Sequence, residues 1–361
     1  MNNIHESQIA AYVRGLGPNA RIRLGLLSNP LAKTNWRSVA HDKLAALLPE
    51  PDACRETPSL GALPDALEAL LFGHGINVLI VNGGDGTIHH TLNAAIAVVD
   101  RASERLGERV SLPLFLFVNG GGMNMLARVF GTRGHPVRTL KRFLEKTRRA
   151  RFGTLHKRAV PLLATETPEG GTRYGYIFGS ELVFNALTMY ERFGQGYPGL
   201  ARFLFEVGAG WVFRTELWHR YGHLLDAPET PLVFGDAHGA RESFPRYTSV
   251  VATTVPLQLV KGLVATVRGT ASPGGMSAVA VLPVDKGEVI KKIPSLMVGA
   301  ESDGVVYRGD VRQIELHGAF TLDGERYDRH EVESLAPPDN DIRRAPLIVR
   351  GTGRVVWGVA L

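Results

Sequence analysis

Only one cysteine, Cys54, occurs among the 361 residues, so no internal disulfide can form and nothing marks an oxidising compartment. Cys54 reads as a small buried or half-buried residue. No stretch reaches about 18 uncharged apolar residues, so no membrane-spanning helix is expected. The opening segment, MNNIHESQIAAYVRG, lacks the basic, apolar and small-residue succession of a secretory signal, and the expected location is cytoplasmic. The chain also has no GxxxxGKS/T loop, no HExxH pair and no CxxC pair. A P-loop kinase and a zinc hydrolase are therefore disfavoured.

What is present suits an ordinary globular protein, with 44% hydrophobic and 21% charged residues. The length suits two domains. The net charge of +6 suits an anionic partner such as a nucleotide or a lipid headgroup. Lys141 to Arg151, KRFLEKTRRAR, concentrates that charge. It reads either as the solvated face of a helix or as a surface that docks on an anionic membrane. No nucleic-acid motif accompanies it, so no nucleic-acid partner is expected.

The first half alternates apolar runs with helical periodicity. Strands are predicted over Arg21 to Ser28, Ala53 to Thr57, Ile76 to Val81 and Leu112 to Val118. Helices are predicted over Ser38 to Leu48, Pro64 to Gly75, Thr87 to Asp100 and Met123 to Phe130. Such alternation means βαβ units and a parallel sheet covered on both faces. From Arg173 onward the runs RYGYIFG, YTSVVATTV, SAVAVLP, VRQIELHG, AFTLDG, PLIVRG and RVVWGVAL are strand-like and punctuated by Gly, Pro and Asp. That is the pattern of an antiparallel sandwich or barrel. One helical stretch, Gly199 to Trp218, interrupts them. The fold class is α/β followed by all-β, with the boundary near Arg151 to Pro161.

The strongest motif is VNGGDGTIHH, Val81 to His90, between an apolar strand and a helix. In open parallel sheets ligands bind at the carboxyl ends of strands. Gly83, Gly84 and Gly86 let backbone N–H groups approach an anion, and the helix start adds its dipole. Thr87 can cap that helix. Asp85 is an acid among phosphate-binding groups, suited to orienting a metal-bound phosphate or to taking a hydroxyl proton. A second loop, VNGGGMNMLAR from Val118 to Arg128, repeats the strand, glycine run and helix. Two such loops at neighbouring strand ends can wall one phosphate site. A third, SNPLAKTNWR from Ser28 to Arg37, carries an Asn29-Pro30 turn, with Lys33 and Arg37 able to reach phosphates. His89 and His90 read as helix-surface or packing residues rather than metal ligands.

The order of NP, ET, GGDGT and GGxN-x-LAR along successive strand ends, with FTLDGERYD (Phe320 to Asp328) late in the chain, resembles the diacylglycerol kinase catalytic-domain family. That family includes bacterial lipid kinases, sphingosine kinases and ceramide kinases. The resemblance implies a Rossmann-like nucleotide domain over 20–155 and a β-sandwich lipid-binding domain over 156–361, with the site in the cleft between them. It implies ATP and Mg²⁺ as cosubstrates. By matching positions it implies nucleotide contacts at Asn29, Thr57, Gly83, Gly84, Asp85, Gly86, Thr87, Gly121, Gly122 and Asn124. Glu325, with Asp323 beside it, matches the proton acceptor of bacterial members, and Asp85 matches the base proposed for sphingosine kinases. Both assignments stay open here, and no metal ligands are assigned. The chain departs from the family at His89-His90, where Asn-Glu is usual, at Gly122 for Thr, at Met125 for Asp, and at Val260-Lys261-Gly262 for an Asp-Asp-Gly segment.

The implied activity is ATP-dependent phosphorylation of a lipid hydroxyl on diacylglycerol, a sphingoid base or ceramide. The enzyme would touch the inner face of the membrane peripherally and could pair as a homodimer. Apolar residues Phe203, Leu204, Phe205, Trp211 and Phe213 read either as core or as cover for an acyl chain. Two rivals remain: an NAD kinase-like phosphotransferase, which also uses GGDGT, and a lipid- or nucleotide-binding regulator without turnover.

Overall fold

The computed structural model describes residues 4–32, 40–121, 124–167, 171–190, 202, 206, 209, 210, 213, 230–256, 274–282, 303–327 and 346–360. Lys33, Arg37, Gly122, Phe203 to Phe205, Trp211 and Val260 to Gly262 lie outside the described residues. The chain divides into two units, Met1–Val160 with Val355–Leu361, and Pro161–Arg354. The seven residues 355–361, read from sequence as part of the second domain, group with the first unit.

The first unit is built from α1 (Glu6–Gly15), β1 (Leu24–Ser28), α2 (Ala40–Ala45), β2 (Cys54–Glu56), α3 (Leu63–Glu68), β3 (Val78–Gly83), α4 (Asp85–Leu106), β4 (Leu114–Asn119), α5 (Met125–Val129) and α6 (Pro136–Thr147). The four strands are parallel in the order β2-β1-β3-β4. The continuous apolar runs follow from burial on both faces, and every residue of β1 and β3 is buried. On one face Leu26, Ile80, Leu116 and Val118 pack against Leu44 of α2 and Leu140 and Phe143 of α6. On the other, α4 lies on β3 with α1 and α3 beside it. The helix predicted over Pro64 to Gly75 is α3 continued by one π-turn, Ala69–Gly73. Helix α4 stops at Gly107, whose φ of 69° is the left-handed conformation glycine supplies most cheaply.

The second unit is antiparallel. It contains most of β5 (Lys157–Thr167), then β6 (Gly171–Gly175), β7 (Ile177–Ser180), α7 (Leu182–Tyr190), β8 (Leu232–Asp236), β9 (Arg241–Phe244), β10 (Ser249–Thr253), β11 (Met276–Val281), β12 (Val305–His317), β13 (Phe320–Leu322), β14 (Glu325–Tyr327) and the first part of β15 (Pro346–Val359). The order is β14-β13-β7-β10-β11-β12-β15, with β8 adding to β12, β9 adding to β8, and β5 pairing β6 and β15. Its core gathers Phe178, Tyr247, Val250, Ile314, Leu316 and Leu322 among others. The runs PLIVRG and RVVWGVAL, read as two strands, form one. At Gly351 between them the backbone of Gly274 leaves no room for a Cβ. In the first unit the end of β15 runs parallel to β4, pairing Gly358 with Phe115, and the Phe130 ring fills the space a side chain at 358 would need. Among the described residues no helix is long and apolar enough to cross a membrane.

Candidate active site

The strand order 2-1-3-4 reverses direction between β1 and β3. In open α/β sheets that switch point leaves a crevice beyond the carboxyl ends of the strands. Asn29 follows β1 and Gly83 ends β3, so the NP and GGDGT segments both lie at the switch. They are joined there: the Asn29 amide donates to the Asn82 carbonyl at 3.0 Å, and Asn29 Nδ2 donates to Thr87 Oγ1 at 3.0 Å. Asn29 Oδ1 accepts from the Leu31 amide at 2.9 Å, which closes the turn that Pro30 begins. Thr57 sits one strand further out, buried, its amide donating to the Ser28 carbonyl at 3.0 Å.

The cap of α4 is Gly84, which has no side chain to satisfy the first helical amides. The first intrahelical bond runs from the Ile88 amide to the Gly84 carbonyl at 3.0 Å. The amides of the first turn, at half-buried Asp85, Gly86 and Thr87, therefore form the anion-attracting end of a 22-residue helix. Thr87 does not cap; its hydroxyl accepts from Asn29 instead.

The second glycine loop packs directly on the first. The Gly120 amide donates to the Gly83 carbonyl at 3.0 Å. A Cβ at Gly120 would lie 2.7 Å from the Gly83 nitrogen and 2.8 Å from Asn82 Oδ1, and one at Gly121 would collide with the Gly84 backbone. Glycine is needed here for close approach of backbone to backbone. Asn124, with a φ of 51°, closes its own loop: its Oδ1 accepts from the Gly121 amide at 3.0 Å, and its Nδ2 donates to the Gly121 carbonyl at 2.9 Å.

Asp85 ties the loops together. Its Oδ2 accepts from the Met125 amide at 3.0 Å and its Oδ1 from the Leu126 amide at 2.9 Å, so one carboxylate caps the start of α5 while opening α4. Sequence reasoning missed this clamp, along with the place of Gly120. Met125, where the family has Asp, takes part through its backbone. His89 is fully buried and His90 half-buried, their rings edge to face at 5.2 Å, as expected of packing residues. Among the described residues no three of His, Cys, Asp or Glu gather as a metal site.

In the second unit the DGE segment is a two-residue hairpin in which Leu322 pairs with Glu325. Asp323 and Gly324 have φ of 56° and 91°, the left-handed conformations of the primed turn that Asp-Gly favours. Asp323 is buried, and its Oδ1 accepts from the Tyr176 and Ile177 amides at 2.9 and 3.0 Å, which fixes the hairpin to β7. Glu325 is half-buried at the start of β14. Nearby Tyr327 is pushed up to about 12 by burial, against the lowering charge of Arg173 and with the help of the Glu325 and Asp323 carboxylates.

Paired glycine loops thus stand over a helix start at the switch point of the parallel sheet in this α/β unit. Residues 23–155 match the Diacylglycerol kinase catalytic domain, so this unit carries the catalytic domain of a lipid kinase family. No curated protein matches the chain. Two solved structures from Bacillus anthracis str. Sterne, provisionally described as a diacylglycerol kinase, share its fold. Their identities are 13% and 14% and their TM-scores 0.57 and 0.56, covering 94% of this chain and 97% of theirs. A third, of a diacylglycerol kinase from the same organism, aligns at 11% identity with a TM-score of 0.54 and the same coverage.

Proposed function

We propose that this protein moves the γ-phosphate of ATP onto the hydroxyl of a membrane lipid: diacylglycerol, a sphingoid base or ceramide. The reading is carried by one observation. The GGDGT and GGG loops meet backbone to backbone beside the open first turn of α4, inside the segment that matches the catalytic domain. Amides so arranged suit the oxygens of a polyphosphate, and they stabilise charge that builds on the transferred group without having to reorganise. Asn29 and Asn124 hold the two loop backbones, and Gly83, Gly84, Gly86 and Thr87 line the phosphate site. The finer architecture proposed is a Rossmann-like nucleotide domain followed by a β-sandwich domain that receives the lipid.

For proton removal we assign Glu325. Both Asp85 oxygens already accept amides, which suits Asp85 to holding the loops in register. Asp323 is engaged with β7 and serves its turn. Mg²⁺ belongs to the proposal as the counterion of the nucleotide, and no step is assigned to a metal held by the protein. The proposed setting is the cytoplasmic membrane surface, with peripheral contact.

The test is direct. Purified protein is incubated with γ-labelled ATP, Mg²⁺ and a panel of lipids in mixed micelles, with NAD as a soluble control. Label is expected on one of the lipids. Label on NAD would establish the soluble phosphotransferase instead, and tight ATP-analogue binding without any labelled product would establish a regulator. Glu325→Gln is expected to lower turnover at least about a hundredfold, the usual worth of a general base, with nucleotide affinity unchanged.

A further inference from the structure

The basic excess of this protein is local. Between Gly131 and Arg158 there are ten lysines and arginines and one acid, Glu145, a net +9. The whole chain carries +6, so everything outside this stretch sums to −3. All ten cations are exposed. They are Arg133, Arg138, Lys141, Arg142 and Lys146 on and just before α6, and Arg148, Arg149, Arg151, Lys157 and Arg158 after it. The helix turns Pro136, Thr139, Leu140 and Phe143 to the core and this charge to water.

An apolar anchor lies on the same face of the unit. Val359, near the end of β15, packs in the cluster that contains Leu140 and Phe143. Side chains along a strand alternate, so Trp357 and Val355 point to the face that Val359 shares with α6, while Val356 and Gly358 point away. The burial pattern obeys this: Val356 and Gly358 are buried, whereas Trp357 is 46% and Val355 36% exposed. Trp357 stands roughly 7 Å along the strand from Val359. A lone tryptophan beside a cationic helix is the combination that settles at a headgroup layer.

We propose that the outer face of α6, with Arg148, Arg149 and Arg151 after it and Trp357 beside it, seats the first unit on an anionic phospholipid bilayer. Nucleic acid fits less well. Both phenylalanines of the stretch, Phe143 and Phe152, are buried, so the stretch itself adds no second aromatic beside Trp357 on which successive bases could stack. The seat is electrostatic, since α6 itself exposes no large apolar side chain to insert. It rests on the lipid kinase reading, because an enzyme whose acceptor lies in a membrane must meet that surface.

The experiment is co-sedimentation, without nucleotide, with vesicles of pure phosphatidylcholine and with vesicles containing roughly one-third phosphatidylglycerol. The protein should pellet with the anionic vesicles and leave them at high salt. The variant K141Q/R142Q/R148Q/R149Q should lose about a thousandfold in partition, as four surface cations predict. Trp357→Ala should lose a smaller part, at low and high salt alike. Equal binding to both vesicle types, undiminished binding by the quadruple variant, or tighter retention on duplex DNA than on the anionic vesicles at equal salt would each overturn the seat. Phosphorylation of a short-chain diacylglycerol in neutral micelles separates the two claims. The quadruple variant should match the wild type there, and a parallel loss would refute the docking role. A wild type inactive on every lipid would sink the kinase reading alone and leave the vesicle result standing.

Discussion

Asp85 and Asp323 do the same physical work in the two units. Each carboxylate reaches out of a glycine turn and accepts two backbone amides of another element. Hydrogen bonds to an ionised acceptor are worth about 1.5–3 kcal/mol, and a buried donor left unsatisfied costs as much again. Asp85→Asn keeps the shape, gives up the charge, and turns one acceptor into a donor that faces an amide. We expect it to lower stability by about 2 kcal/mol and to weaken ATP-analogue binding, and thermal melts with calorimetric titration would check both. A variant with wild-type melting but no turnover would show Asp85 to be a chemical participant rather than a clamp. The glycines around Asp85 were legible in the sequence because a glycine run between an apolar strand and a helix is the pattern of an anion-binding loop. Its partners were not, because the donors are amides of Met125 and Leu126, and an amide leaves no residue-type signature.

Among the elements, the readable ones were those whose burial is uniform. β3 is apolar from Val78 to Val81 and β4 from Leu114 to Val118 because helices cover both faces, and a continuous apolar run shows itself without alignment. α1 went unread, and α6 was visible through the run of charge that read as the solvated face of a helix. The Asp-Gly hairpin was legible as a turn from two residues whose left-handed φ values match the type they favour. What no local pattern carries is the docking of one glycine loop on the other. Gly121→Ala places a methyl against the Gly84 backbone, which cannot retreat as a flexible side chain would. Overpacking of this kind costs about 1–3 kcal/mol. The expected outcome is a nucleotide-binding loss of at least tenfold, while Gly131→Ala, in open space in the same unit though strained by its φ of 85°, should cost stability without that loss. Equilibrium binding of a fluorescent ATP analogue to both variants distinguishes them.

Across the whole molecule, buried tyrosines set the alkaline limit. Burial raises Tyr12 and Tyr247 well above their ordinary value of 10.0, and burial together with the Asp323 charge raises Tyr176. An unfolded chain releases these protons near 10 and the folded one holds them. Their stabilisation is therefore complete below pH 10 and is lost as pH rises beyond it. Each raised group removes about 1.4 kcal/mol per pH unit in that window. Denaturant melts at pH 9 and pH 11 should differ accordingly. Absorbance of tyrosinate at pH 11 should leave these three silent until the fold opens, and their titration in the native protein near pH 10 would contradict the assignment.

The route of the chain sets an order on its own birth. β4 gains its partner in β15 only after the second unit has been translated, so until then water takes the hydrogen bonds of the edge that receives Gly358. The residues of the two glycine loops are thus synthesised before the strand that completes their sheet. A fragment cut at the boundary between the units would carry every glycine of the two loops and still lack the strand that finishes the sheet behind them.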